Sequence, residues 1–164
     1  MFIPMTLNLL DKELEKIQLA LTRISDEVLW KKLREGTNSV GNLCLHLAGN
    51  EYHNIVNSIG GYPYIRERSA EFLAEGGYTC KELSAHLNAV REKSREVLGT
   101  LSEEDLYREV TVYYPPDAGI ASSNRQLMEL LYHVTVHYSY HTGQIMYMTR
   151  IFQGENVNLL KWKH

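Results

Sequence analysis

From Leu127 to Met148 apolar residues recur at helical spacing, as Leu127, Leu130, Val134, Tyr138, Ile145 and Met148, and three histidines, His133, His137 and His141, follow one another at intervals of four within the run. Side chains four apart on a helix share a face, with Cβ atoms about 5–6 Å apart, close enough for neighbouring imidazoles to reach one ion. Because the histidines share their stripe with the apolar residues, they face the interior those residues define. A buried imidazole needs a hydrogen bond or a metal to offset its desolvation. For a single histidine the simpler reading is a core residue bonded to backbone or tyrosine; three in register point to the wall of a metal site. A pair at i, i+4 supplies only two ligands, so a third must come from elsewhere in the chain.

His46 is the best candidate for that third ligand. It lies in the segment Asn38-Ser-Val-Gly-Asn-Leu-Cys-Leu-His-Leu-Ala-Gly-Asn50, where Thr37, Asn38 and Ser39 are all able to cap a helix and Val40, Leu43 and Leu47 form an apolar stripe beside the histidine. The two histidine-bearing helices then face each other across a bundle. Cys44, two residues before His46, points roughly 200° away and stays outside the site.

Together these residues resemble a known superfamily. The combination of Asn38-Ser39, His46-Leu-Ala-Gly-Asn50 and His133-Val-x-x-His137-x-x-x-His141-x-Gly143-Gln144-Ile145 is similar to the DinB-like proteins, four-helix bundles that include the YfiT-like thiol transferases. Within that group it resembles an uncharacterised subfamily carrying Gly-Gly, Arg-x-Arg and an acidic-Phe pair, here Gly60-Gly61, Arg66-Glu67-Arg68 and Glu71-Phe72. The resemblance covers most of the chain. It implies an all-α, up-down-down-up type four-helix bundle with a short irregular or β-like crossover before the last helix. It also implies a metal triad of one histidine from the second helix and an i, i+4 pair from the last, which falls on His46, His137 and His141. His133 then serves as a packing or second-shell residue.

Length and charge agree with that reading. A chain of 164 residues with 44% hydrophobic and 23% charged content suits one domain, residues 1–164, with a substantial core. A net charge of −3 and a pI near 6.2 offer no broad attraction to nucleic acid. No apolar run is long enough to span a bilayer and Met1-Phe-Ile-Pro-Met5 does not read as a secretory signal, so the expectation is a cytoplasmic protein with neither membrane nor nucleic-acid partner. Cys44 and Cys80 have no zinc-type spacing and read as free thiols.

In chain order, the periodicity predicts a first helix from Met5 to about Ser25, a polar connection whose Trp30 plugs the core, and a second helix from Ser39 to Ile59 that stops at Gly60-Gly61. Asn50 and His53 fall at i+4 and i+7 from His46, either projecting toward the site or its mouth or lying at the surface. Glu51 points off that face. Residues 62–77 read as a long connection in which Arg66, Arg68 and Glu71 form either a solvated salt-bridged loop or a guanidinium rim for a substrate carboxylate. Thr79 and Glu82 form a capping box for a third helix ending near Gly99, with Leu83, Leu87, Val90, Ser94 and Val97 inward and Arg91, Glu92, Lys93, Arg95 and Glu96 on its charged back. Ser102 caps a short turn, Glu109 to Tyr114 alternates like a strand, and Ser122-Ser123-Asn124 caps the last helix, which runs to about Phe152. Gln144 either fixes the second shell or packs at the helix interface.

Three imidazoles from two helices leave coordination positions open, as in catalytic zinc sites. Such donors suit zinc, nickel, iron and copper; zinc or nickel is the leading expectation, with iron or manganese as alternatives. The resemblance implies a thiol S-transferase using a low-molecular-weight thiol such as bacillithiol, mycothiol or glutathione on a small electrophile, and a homodimer. The rival readings are a non-catalytic metal-binding stress-response bundle or dimerisation module and, with thinner support, a metal-dependent hydrolase, which needs a carboxylate base.

Overall fold

In the computed structural model, which describes residues 1–154 and 159–160, four long helices carry the core: α1 (Phe2–Leu21), α3 (Val40–Glu51) with its π-helical continuation Tyr52–Ile59, α5 (Cys80–Gly99) and α6 (Leu127–Phe152). Two short helices, α2 (Asp26–Leu29) and α4 (Arg68–Leu73), fill the connections. This is the expected up-down-down-up bundle. α1 packs against α5 and α6, and α3 packs against the same two helices, so α1 and α3 stand on one diagonal. α3 and α6 run antiparallel: Leu43 shares a cavity with Met148, His46 meets His137, and Asn54 shares a cavity with His133.

Of the three residues able to cap the second helix Ser39 does so, in a capping box, and the expected box of Thr79 with Glu82 forms on α5. The Ser39 hydroxyl accepts the Asn42 N–H at 3.1 Å while Asn42 Oδ1 accepts the Ser39 N–H at 2.9 Å, and Thr79 with Glu82 does the same for α5. Trp30 lies half-buried, its ring stacked where a Cβ at Gly41 would stand 2.7 Å away, and its indole N–H donates to the Tyr78 carbonyl at 3.0 Å.

Five expectations change. α1 occupies Phe2–Leu21, starting three residues before Met5 and ending before Ser25. Ser122-Ser123-Asn124 does not cap the last helix. Ser123–Gln126 is strand β2, paired antiparallel with β1 (Glu109–Val112), so that Glu109 faces Gln126 and Val112 faces Ser123. The polar residues that look like a cap find backbone partners across the ladder, and α6 begins at Leu127, whose N–H donates to the Arg108 carbonyl at 3.0 Å. The long connection is not all loop, because α4 docks on α3 within it. The second helix reaches Ile59 as expected but bonds i→i+5 in its last part, with the Gly60 N–H on the Ile55 carbonyl at 2.9 Å. The wider turn shifts the residues that follow His53 from the 3.6-residue register.

The fifth change concerns the back of α5. Arg91 is not on a charged outer face; it is 1% exposed. Its Nε and Nη2 donate to the Glu51 carboxylate at 2.7 and 3.0 Å, and Glu51 is 0% exposed. Nη1 reaches Asp11 on α1 at 3.1 Å, and the guanidinium carbon lies 5.0 Å from the centroid of the Tyr138 ring on α6. One side chain thus touches all four helices. Periodicity misses it because Val90 beside it is the conventional core position, whereas Arg91 enters the core only through its fork-shaped match to a buried carboxylate. Truncating it leaves Glu51 buried without a counter-charge. Arg91→Met should lower stability by about 3–5 kcal/mol in urea unfolding, and the paired change Glu51→Leu with Arg91→Met should recover most of that loss.

Candidate metal centre

His46, held on the buried face of α3 by the neighbouring core residues Leu43 and Leu47, meets α6 at its two C-terminal histidines. Its Nε2 is 3.0 Å from Nε2 of His137, and its ring centroid is 5.2 Å from that of His141. One ligand atom from each of His46, His137 and His141 lies within 4.8 Å of the others. Two nitrogens each about 2.1 Å from a common ion stand about 3.0–3.4 Å apart between right-angle and tetrahedral geometry. The His46–His137 separation already matches, and the three ligand atoms together lie within a 4.8 Å spread.

The outer nitrogens decide whether these rings can ligate. His46 Nδ1 donates to Glu71 Oε2 at 2.9 Å, and the carboxylate acceptor puts the proton on Nδ1 and the lone pair on Nε2. Burial tends to raise the Glu71 pKa, but the hydrogen bonds from Arg66 and His46 outweigh it and hold the group below the usual carboxylate range. Arg66 grips Glu71 with both arms, Nε to Oε1 at 2.6 Å and Nη2 to Oε2 at 2.9 Å. On α6, His141 Nδ1 donates to Gln144 Oε1 at 2.6 Å, which frees its Nε2 in the same way. A histidine whose second nitrogen is fixed by a carboxylate or amide oxygen is oriented and made more basic toward a metal. The donor set therefore fits a divalent transition ion, with His46, His137 and His141 as the residues that would hold it.

Glu71, which the sequence reading left without a role in the site, is delivered by α4. Asn42 Nδ2 donates to the Glu71 and Ala74 carbonyls at 3.0 and 2.8 Å, tying that short helix to the start of α3. Gly49 makes the approach close enough: a Cβ there would overlap the Glu71 carboxylate and stand 3.1 Å from Arg66 Nε. Phe72 lays its ring 4.7 Å from the His46 ring. The acidic-Phe pair singled out in the sequence thus grips His46 by both residues, and its signal lay in that motif.

The remaining candidates divide. Arg66 is buried and bound to Glu71, so neither a solvated loop nor a fork free for a substrate carboxylate describes it. Arg68 is exposed and lies over the Phe72 ring at 5.7 Å. His133, expected to face the interior with the other two, is instead exposed at the edge of the stripe and stacks on His137 with centroids 5.8 Å apart. Asn50 is buried rather than at the surface, and its Oδ1 has no partner among the described residues. His53 is also buried, but about two turns along the helix from His46; its Nε2 donates to the Tyr113 carbonyl at 2.7 Å, and Tyr64 and Tyr114 stand edge-on to its ring.

A cavity of about 520 Å³ opens beside the triad, walled by Leu33, Leu43, Tyr140, His141, Tyr147 and Met148 with Asn38 and Gln144. Burial and then the neighbouring imidazoles push the His137 pKa down to about 3, and burial lowers that of His141. Both rings are neutral at pH 7. An unfolded imidazole gains its proton near pH 6.5, the folded His137 only near 3, so between those values the unfolded chain binds more protons. Stability must then fall as pH drops through that window. Thermal unfolding with chelator present should show a midpoint that declines from pH 7 to pH 4, with a flatter profile in His137→Asn.

Among the described residues no helix is long and apolar enough to cross a membrane. No curated protein matches the sequence. Solved structures do. A DinB-like protein from Bacillus cereus superposes with a TM-score of 0.65 at 17% identity over 85% of both chains. A conserved protein from Enterococcus faecalis gives 0.70 at 16% identity over 93% of this chain and 97% of the other. A DinB-like protein from Bacillus subtilis gives 0.66 at 17% identity over 93% and 94%. At such identities the likeness establishes the fold, which is DinB-like. Residues 2–163 match the family described as protein of unknown function DUF1572, and the chain belongs to that family.

Proposed function

We propose that this chain is a cytoplasmic, divalent-metal-dependent S-transferase that joins a low-molecular-weight thiol to a small electrophile, with His46, His137 and His141 as metal ligands. The observation that carries the reading is the convergence of three imidazoles, two with their outer nitrogens fixed by Glu71 and Gln144, beside a cavity that reaches His141. An ion held by three neutral ligands keeps its positive charge and, when bound, eases loss of a proton from a thiol or water at its free position.

The chain's own residues supply orientation and shelter. Glu71 and Gln144 hold two rings in the ligating tautomer, and Arg66 keeps Glu71 ionised. Tyr140 and Tyr147 offer aromatic walls for the body of a substrate, with Asn38 and Gln144 as amide partners. A hydrolase would need a free carboxylate as base, and Glu51 and Glu71 are both committed to arginines. The exposed stripe Tyr132, Val136, Tyr140, Tyr147 and Ile151 along α6 favours a homodimer and also supports the rival reading of a non-catalytic dimerisation module.

Turnover separates the two. Candidate thiols are incubated with an electrophilic acceptor and zinc, nickel, manganese or iron, and loss of free thiol is followed. The transferase reading requires metal-dependent conjugation that falls at least about a hundredfold in His137→Ala and His141→Ala with the fold retained by circular dichroism. Metal binding without conjugation by any thiol would favour the binding module. Independently, Glu71→Ala and Gly49→Ala should each weaken zinc binding about 10–100-fold in competition with a chromophoric chelator, because each removes the carboxylate from His46.

A further inference from the structure

A second cavity, of about 400 Å³, lies on the other side of the Arg66–Glu71 pair and shares no lining residue with the one at His141. Its floor is α3 at Leu45 and Ala48 with Tyr52 of the π-helical continuation, one wall is α4 at Ala70, and the opposite wall is α5 at His86 and Val90. α4 rests on α3, so the cavity is the gap between α4 and α5. Its volume and mainly apolar walls, with a few polar groups converging at one end, are those of a small-molecule site.

The charges at that end restrict what fits. Arg66 and Glu71 are each 7% exposed; Nε and Nη2 of the guanidinium donate to Glu71, and Nη2 also lies 3.2 Å from His46 Nδ1. Glu67 adds a second carboxylate at the rim. The guanidinium charge is neutralised by Glu71, and Glu67 leaves that end net negative, so the lining disfavours an anion, and burying an unpaired charge is costly. The Tyr78 and His86 rings, 5.7 Å apart at the other end, offer further aromatic surface and a polar tip.

We propose that this cavity binds an uncharged, mainly apolar small molecule and that its occupancy tightens metal binding at the histidine triad. An occupant bridges α4 to α5, and α4 is the helix that presents Glu71 to His46. Holding α4 down keeps the carboxylate on His46 Nδ1. By linkage, metal must tighten the occupant by the same factor. The coupling rests on the metal-dependent reading above; occupancy of the cavity does not.

The test uses N-phenyl-naphthylamine, an uncharged aromatic amine whose fluorescence rises in apolar surroundings, as the probe. Wild-type protein should give a saturable rise, and Ala70→Trp, which fills the gap from an exposed position on α4, should weaken it at least about tenfold. Ala74→Leu is the second blocking variant, and circular dichroism checks that both fold. Saturating probe should then lower the zinc Kd of wild type by about 5-fold or more and leave that of Ala70→Trp unchanged. A rise that does not saturate, or that persists undiminished in both variants, overturns the site. Probe binding with an unaltered zinc Kd overturns the coupling. Failure of zinc to bind with or without probe overturns the metal reading and the coupling with it, while the fluorescence titration still decides the site.

Discussion

A carboxylate and a guanidinium with almost no access to water stand at the point where the four long helices meet. Desolvating Glu51 and Arg91 costs several kcal/mol per ion, and only bidentate geometry with further partners offsets it. Both arms of the fork reach Glu51, a third nitrogen reaches Asp11, and the Tyr138 ring covers the guanidinium. Satisfying so many partners leaves little freedom in how α3 and α5 are rotated or slid. Burial of apolar area tolerates such shifts, since it has no direction.

That constraint sets the aim of His46, which is on α3 about a turn and a half before Glu51 and on a different face. One side of α3 is held by Arg91, the other by α4 through Asn42 and Glu71. Between the two clamps the imidazole has one direction, toward His137. The absent side chain at Gly49 matters as much as any that is present, because the carboxylate sits where its Cβ would be. Of the two cavities, one lies at His141 and one between α4 and α5, and Glu71 lines the second while bonding His46 of the triad.

The four long helices were legible because they are written in periodicity, which put His133, His137 and His141 inward alike; the resemblance singled out the last two, and His133 is exposed. His46 lies beside Leu43 and Leu47, and His137 and His141 keep step with Val134, Tyr138 and Ile145, so burial of the stripe carries the histidines inward. Caps at Ser39 and Thr79 were legible for a local reason too, since their partners lie three residues on. Ser123–Gln126 was not, because a polar run reads as a cap until its pairing with Glu109–Val112 is known. Nor was the place of His53, because its partner, the Tyr113 carbonyl, lies 60 residues away.

What the chain determined by itself is what depends on neighbours within a turn or two: where helices form, which face is apolar, and that His46, His137 and His141 share an interior. Tertiary structure decided which charges enter that interior. Arg91 and Glu71 are separated by 40 and 25 residues from the side chains they hold; nothing local distinguishes Arg91 from the solvated arginines around it, and the motif that marks Glu71 does not say what it holds. The energy that buries them exists only when both partners are in place, so it cannot be read from either residue alone.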